Sequence, residues 1–169
     1  HEVDIFTRWD SDEQPRIVMY RPGVRVVHVA AGPRKFIPKE RLFGYMDEFT
    51  DEMCAFMNRE NVHYDVAHAH FWMSGYVAQQ LKQRLGIPYA ITFHALGKVR
   101  RIYQGAADEF PDLRFSLEES VARNADAVIA ECPQDRDDLM IHYFVKPHQI
   151  RTIPCGFDKE EFVPLDKRE

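Results

Sequence analysis

The stretch IPYAITFHALGKVR, residues 87 to 100, decides the fold. Gly86-Ile87-Pro88 introduces the run Tyr89-Ala90-Ile91-Thr92-Phe93, a short segment without polar alternation that suits a central parallel strand covered on both faces. The run ends in His94, Gly97 and the cations Lys98, Arg100 and Arg101. In an open α/β sheet ligands bind just beyond the carboxyl ends of the strands, which puts these groups where a polar, anionic small molecule would sit. Asp65-Val66-Ala67-His68-Ala69-His70 repeats the arrangement earlier in the chain and is followed by Phe71-Trp72-Met73-Ser74-Gly75 and a helix. Two consecutive strands thus deliver histidines to one edge.

Working outward, the chain alternates. Strands are expected at 2–8 and 24–30, with a polar turn from Trp9 to Pro15. From Lys39 to Glu60 the residues Leu42, Tyr45, Met46, Phe49, Met53, Phe56 and Met57 keep helical spacing, a stripe that reads as core packing. Then follow a strand at 65–69, a helix from Ser74 to Leu85, the strand at 89–93, a long loop from Ala95 to Pro111, and a helix from Asp112 to Arg123. Strand 127–130, a helix opened by Pro133 and strand 150–153 complete the series. Such βα alternation specifies an α/β fold with a parallel sheet and right-handed crossovers. A loop as long as 95–111 at the functional edge is expected to act as a lid or binding segment.

With 169 residues, 45% of them hydrophobic, the chain can bury a core of its own. A net charge of −5 argues against a nucleic-acid binder, and no apolar run approaches the roughly 20 residues of a membrane-spanning helix. No signal peptide opens the chain, and a soluble, cytoplasmic protein is expected. Cys54, Cys132 and Cys155 are scattered and odd in number, so neither a disulfide framework nor a zinc ribbon is indicated. His1 opens almost directly into a strand without an initiator methionine, which leads to the expectation of a piece of a longer protein.

HEVDIFTR at 1–8, DVAHAHFWMSGYVA at 65–78, GIPYAITFHALGKVR at 86–100, NADAVIAECPQDRDDL at 124–139 and IRTIPCGFDKEEFVP at 150–164 stand in the order of a known family. Through them the chain resembles the amino-terminal domain of GT-B retaining glycosyltransferases, the glycosyltransferase family 4-like group that includes sucrose-phosphate synthases and the inositol-phosphate glycosyltransferase of mycothiol synthesis. The resemblance implies a Rossmann-like parallel sheet with helices on both faces, one half of a two-domain enzyme. Residues 1–157 would be the acceptor-side domain, truncated at its amino end, and 158–169 the start of the interdomain linker. The donor-binding carboxyl-terminal domain would be absent, and with it the paired glutamates that act on the donor sugar. The implied reaction moves a hexose from a nucleoside diphosphate sugar, a co-substrate rather than a cofactor, to a sugar, polyol or sugar phosphate, and this piece alone would be inactive.

The resemblance assigns His94 to the reaction centre, hydrogen-bonded to the transferred sugar; the plain alternative is a histidine that caps loop carbonyls. Lys39, Lys98 and Arg114 are the candidate partners of an acceptor phosphate. Phe71 and Trp72 offer aromatic faces to a sugar or pack beneath the next helix. Gly75 permits close approach of a ligand or of a second helix. In the inositol-phosphate branch the positions of Phe71 and Ala95 commonly carry tyrosine and threonine, so two phosphate-binding hydroxyls are missing here. The family usually has asparagine at the position of Cys155. Glu131 ends its strand at the cleft edge, where it contacts a hydroxyl or structures the next turn. Two other classes remain open. His68 and His70 lie on one side of their strand, and with His94 could form a three-histidine zinc site of a hydrolase, although no acidic residue has ligand-like spacing and no resident metal is expected. A non-catalytic sugar-phosphate sensor would reuse the same fold.

Overall fold

A computed structural model describes residues 1–163; the part of the expected linker at 164–169 lies outside the described residues. The order of elements is β1 (Val3–Arg8), β2 (Ile17–Arg21), β3 (Val24–Val29), α1 (Met46–Glu60), β4 (Ala67–His70), α2 (Trp72–Leu85), β5 (Tyr89–Thr92), α3 (Gly97–Gln104), α4 (Leu113–Asn124), β6 (Ala127–Ala130), α5 (Pro133–Tyr143) and β7 (Ile150–Thr152). The sheet that carries the histidines is parallel throughout, in the order β4-β5-β6-β7, with Ala69 opposite Ile91 and Ile91 opposite Val128. Helix α2 packs on β4 and β5, and α5 on β6 and β7. Tyr89, Ile91, Val121, Val128 and Ala130 are fully buried between these layers. Each large apolar side chain among them contributes about 1.5–3 kcal/mol of burial. No helix among the described residues is long and apolar enough to cross a membrane.

Three features differ from the reading of the sequence. The first half is not a plain βα repeat: β1 pairs parallel with β3, and β2 pairs antiparallel with β3 in a separate three-stranded sheet. Strand β2 escapes the pattern because Met19 and Tyr20 are exposed, and its link to β3 is the tight turn at Pro22-Gly23, with Gly23 at φ +76°. The expected helix from Lys39 is divided, a 3₁₀ segment Lys39–Tyr45 preceding α1. Helix α1 buries Met46, Thr50, Met53, Phe56 and Met57 and stops at Asn61 in the left-handed conformation. The region 95–111 is not structureless, since it contains α3 and a short 3₁₀ turn, Gly105–Ala107. Helix α3 is short, and its apolar residues Val99, Ile102 and Tyr103 do not form a core stripe: Ile102 and Tyr103 are exposed, and its only buried residue is Gly97.

Helix α1 lies against β3 and α2, and a polar tie joins the first sheet to the segment just before β4. Asp4 on β1 accepts two hydrogen bonds from Arg25 on β3, each 2.7 Å long, and a third from the Tyr64 hydroxyl at 2.5 Å. Arg25 holds the Asp4 carboxyl below the usual carboxylate range. On the other side, Gly75 fixes how closely α2 approaches α4 and β5. A β-carbon there would stand 2.6 Å from Val121 Cγ1 and 2.9 Å from Ile91 Cδ1, both core atoms. Its missing side chain is therefore filled by protein. Gly75→Ala is expected to cost about 1–3 kcal/mol through overpacking, read as a lower thermal midpoint; a midpoint equal to or above that of the wild type would return Gly75 to the ligand-facing alternative.

Candidate active site at the carboxyl edge of the parallel sheet

Strands β4 to β7 end at one edge, and a polar residue stands at or within three positions of each end: His70, His94, Glu131 and Cys155. Backbone strain marks the same edge. Phe71 and His94 both take positive φ, +73° and +58°, which a residue with a β-carbon adopts only when its surroundings impose it. For Phe71 part of the imposition is visible, because its N–H donates to the Thr92 carbonyl at 2.9 Å while its own carbonyl accepts from Gly75 at the start of α2.

The polar groups form a continuous chain of hydrogen bonds. His70 Nδ1 lies 2.8 Å from His94 Nε2, and the two rings stack with centroids 5.1 Å apart. His94 Nδ1 lies 3.0 Å from Glu131 Oε1, which also accepts the Cys155 thiol at 2.9 Å. The Glu131 backbone N–H donates to Asp135 in the first turn of α5, so the strand end and the helix fix each other. The Cys155 hydrogen bond, then the His94 ring, pull the Glu131 carboxyl down against the effect of burial, while the carboxylate in return pushes the thiol up. Burial, helped by the neighbouring imidazoles, pushes His68 and His70 down, which favours their neutral forms. A cavity of about 170 Å³ opens beside this chain, lined by His94, Glu131, Asp135, Asp138, Val99 and Leu139 among others.

His68 and His70 share one exposed face of β4, with ring centroids 4.2 Å apart, and His68 Nε2 is 2.9 Å from the Thr92 hydroxyl. Both rings thus lie at the surface. The facing nitrogens of His70 and His94 are too close together for an ion between them, since zinc needs about 2.0–2.1 Å on each side. Among the described residues no group of three or more His, Cys, Asp or Glu is arranged to hold a metal.

A second cluster flanks the first. Phe71 follows His70, Ala95 follows His94, and Arg114 of α4 joins them: its Nη2 donates to the Ala95 carbonyl at 2.6 Å, and its guanidinium lies 5.0 Å from the Phe71 ring centroid. Arg114 is wholly buried and also bonds Glu118 at 2.6 Å, yet its Nη1 has no hydrogen-bond partner among the described residues. The expected cation early in a helix is therefore a core residue, held by a carboxylate four residues on. Phe110 lies against the same guanidinium at 4.6 Å, and the exposed Lys39 ammonium is 5.8 Å from that ring. Lys39 also lines a separate cavity of about 510 Å³ with Thr7, Arg8, Asp10 and Phe36.

The structure does not bring the other two expected residues to these clusters as free ligands. Lys98 turns to the far side of α3, where Glu119 and the His142 carbonyl hold its ammonium over Tyr143. Trp72 is buried in the core against Phe43 and Phe110, with ring centroids 5.1 and 6.4 Å away. Two participants carry little signal in the sequence. Cys155 reads there as a bland reduced thiol. Glu118 could have been noticed only as a carboxylate four residues after an arginine, beside the apolar Leu117 and Val121.

The chain is similar to known proteins along almost its whole length. The sequence pattern of Glycosyltransferase Family 4 matches residues 1–161. The D-inositol 3-phosphate glycosyltransferase of Actinosynnema mirum is 38% identical over 170 residues, which cover 99% of this chain and 41% of that protein. The protein of the same name from Corynebacterium glutamicum is 35% identical over 168 residues, covering 99% of this chain and 40% of its own length. Among solved structures, sucrose-phosphate synthase from Thermosynechococcus elongatus superposes with a TM-score of 0.88 at 30% identity, over 97% of this chain and 40% of that one. The chain thus spans about 40% of the length of these relatives, and its helix-flanked parallel sheet matches one half of a GT-B enzyme. By the match along almost its whole length, the chain belongs to Glycosyltransferase Family 4.

Proposed function

We propose that this chain is the acceptor-side half of a retaining glycosyltransferase that moves a hexose from a nucleoside diphosphate sugar to a hydroxyl of a sugar phosphate, sugar or polyol. The observation that carries the reading is the edge at which a strained His94, held on both ring nitrogens, adjoins the buried Arg114 with its unpartnered Nη1. The first group suits a hydroxyl-bearing sugar and the second an anionic substituent. Relatives named for D-inositol 3-phosphate support an acceptor that carries phosphate. Phe71 and Ala95 offer no hydroxyl to it, so the exposed Lys39 would bear most of the phosphate recognition, and Arg114 would add its Nη1 only once an acceptor uncovers it.

In this reading the chain orients. It holds the acceptor hydroxyl near the sugar carbon under attack, and His94 takes or gives a hydrogen bond to a hydroxyl of the transferred hexose. The departing diphosphate would be stabilised from the donor-side half, with no resident metal or cofactor. The test is turnover by the full-length protein, offered UDP-, GDP- and ADP-glucose with a panel of sugar phosphates, sugars and polyols, with and without a chelator. Acceptor-dependent, chelator-insensitive release of nucleoside diphosphate is the expected result. Sugar-phosphate binding without turnover of any pair would point to a sensor, and hydrolysis abolished by the chelator to the histidine-metal alternative; either would sink the proposal.

A further inference from the structure

The hydrogen-bond chain through His94 fixes more than its place. Glu131 is held towards the carboxylate form and can only accept a hydrogen bond, so the atom of His94 that faces it, Nδ1, must carry a proton in the neutral ring as well as in the charged one. The Cys155 thiol, whose proton is retained, fills part of the same oxygen's capacity from the other side. At the opposite nitrogen the contact with His70 has room for a single hydrogen, donated by His70 Nδ1 when His94 is neutral. The lone pair of His94 Nε2 is thereby covered by another side chain, that of His70, which is itself exposed.

We propose that Glu131 and His70 are positioning residues for His94: Glu131 locks the imidazole in its Nδ1–H tautomer, and His70 covers Nε2 until a substrate hydroxyl takes its place. The function of the lock rests on the reading of His94 as the residue beside the transferred sugar, whereas the lock itself rests on the hydrogen bonds around the ring. Free imidazole in water prefers its proton on Nε2, so the Nδ1–H form needs an acceptor facing Nδ1, and Glu131 is the group that supplies it. The other charged groups near the ring are Asp135 and Asp138 of α5, which line the cavity it faces; Asp135 is bonded to the Glu131 backbone and Asp138 lies 3.9 Å from His142.

Histidine-selective ¹⁵N labelling of the full-length protein, with long-range proton–nitrogen correlation at a pH where the imidazoles are neutral, reads the tautomer directly; the His94 signals are identified by their loss in His94→Ala. The wild type is expected to show protonated Nδ1 and bare Nε2, and Glu131→Ala to redistribute towards Nε2–H. A wild type with Nε2–H, or an Ala variant with unchanged signals, overturns the lock. If Glu131→Ala does not fold, the wild-type spectrum still decides it. In turnover, Glu131→Gln keeps the shape and removes the charge, and is expected to lower kcat by roughly tenfold or more while the acceptor KM changes less than threefold, as loss of an orienting carboxylate does for other catalytic imidazoles. An unchanged kcat overturns the functional part. If the wild type turns nothing over, the proposed transferase activity fails and the spectrum alone judges the lock.

Discussion

Glu118→Ala is expected to destabilise the protein by about 3–5 kcal/mol, the cost of leaving a buried charge without its partner. Both members of the Arg114–Glu118 pair are completely buried, so no water can replace the lost carboxylate. The damage extends beyond one arginine. Glu118 also accepts the Gly97 N–H at 2.9 Å and the Tyr143 hydroxyl at 2.5 Å, and the same hydroxyl accepts the Lys98 N–H at 2.8 Å. These bonds secure the first turn of α3, a helix that buries only Gly97 and so has little hydrophobic anchorage. There is no space for a substitute at Gly97 either, where a β-carbon would come within 2.8 Å of Arg114 Nε and 2.9 Å of Glu118 Oε2. The thermal midpoint should fall by roughly 10 °C, at about 2–4 °C per kcal/mol for a unit of this size. Amide exchange over residues 97–104 should accelerate more than in β5 or β6. A loss below about 2 °C, with exchange in α3 unchanged, would show that the helix is held by something else.

In the proposed transfer reaction, His94→Ala is expected to lower kcat of the full-length protein by about a hundredfold, within the range for a polar group that acts on the reacting sugar. Stability should change little. The ring is exposed, and the partners it leaves, Glu131 and His70, are at the surface and accessible to water. The strained φ of +58° remains with alanine, so asparagine, which tolerates the left-handed region better, makes the useful companion. His94→Asn should fold at least as stably as His94→Ala and recover part of the rate if hydrogen bonding to the sugar is what matters. The measurement is acceptor-dependent release of nucleoside diphosphate at saturating donor. A His94→Ala variant within about twofold of the wild-type kcat would remove His94 from the reaction centre and leave it as a cap of the strand end.

Several of these features could be read in the chain before folding. The run Tyr89–Phe93 is long enough and apolar enough to be a buried strand, and His94 after it had to lie at the carboxyl edge. The period of two put His68 and His70 on one face, and the structure keeps them there. Strand β2 was hidden because its exposed Met19 and Tyr20 break the link between hydrophobicity and burial, and α3 was hidden because burial contributes little to holding it. The lysine at position 98 looked as available as that at position 39. What separates them is the distant Glu119, which meets one ammonium and not the other.

The sequence by itself determined the alternation of strands and helices, the edge where the histidines emerge and the family to which the pattern belongs, because each of these depends on local periodicity or on short runs of neighbours. Tertiary structure decided which polar groups meet. Glu131 reaches His94, and Cys155 reaches Glu131, from beyond the ends of other strands, and Glu118 reaches Gly97 across 21 positions. Hydrogen bonds of this kind act over about 3 Å, and no spacing along the chain records which side chains the packing of sheet and helices will bring within that range.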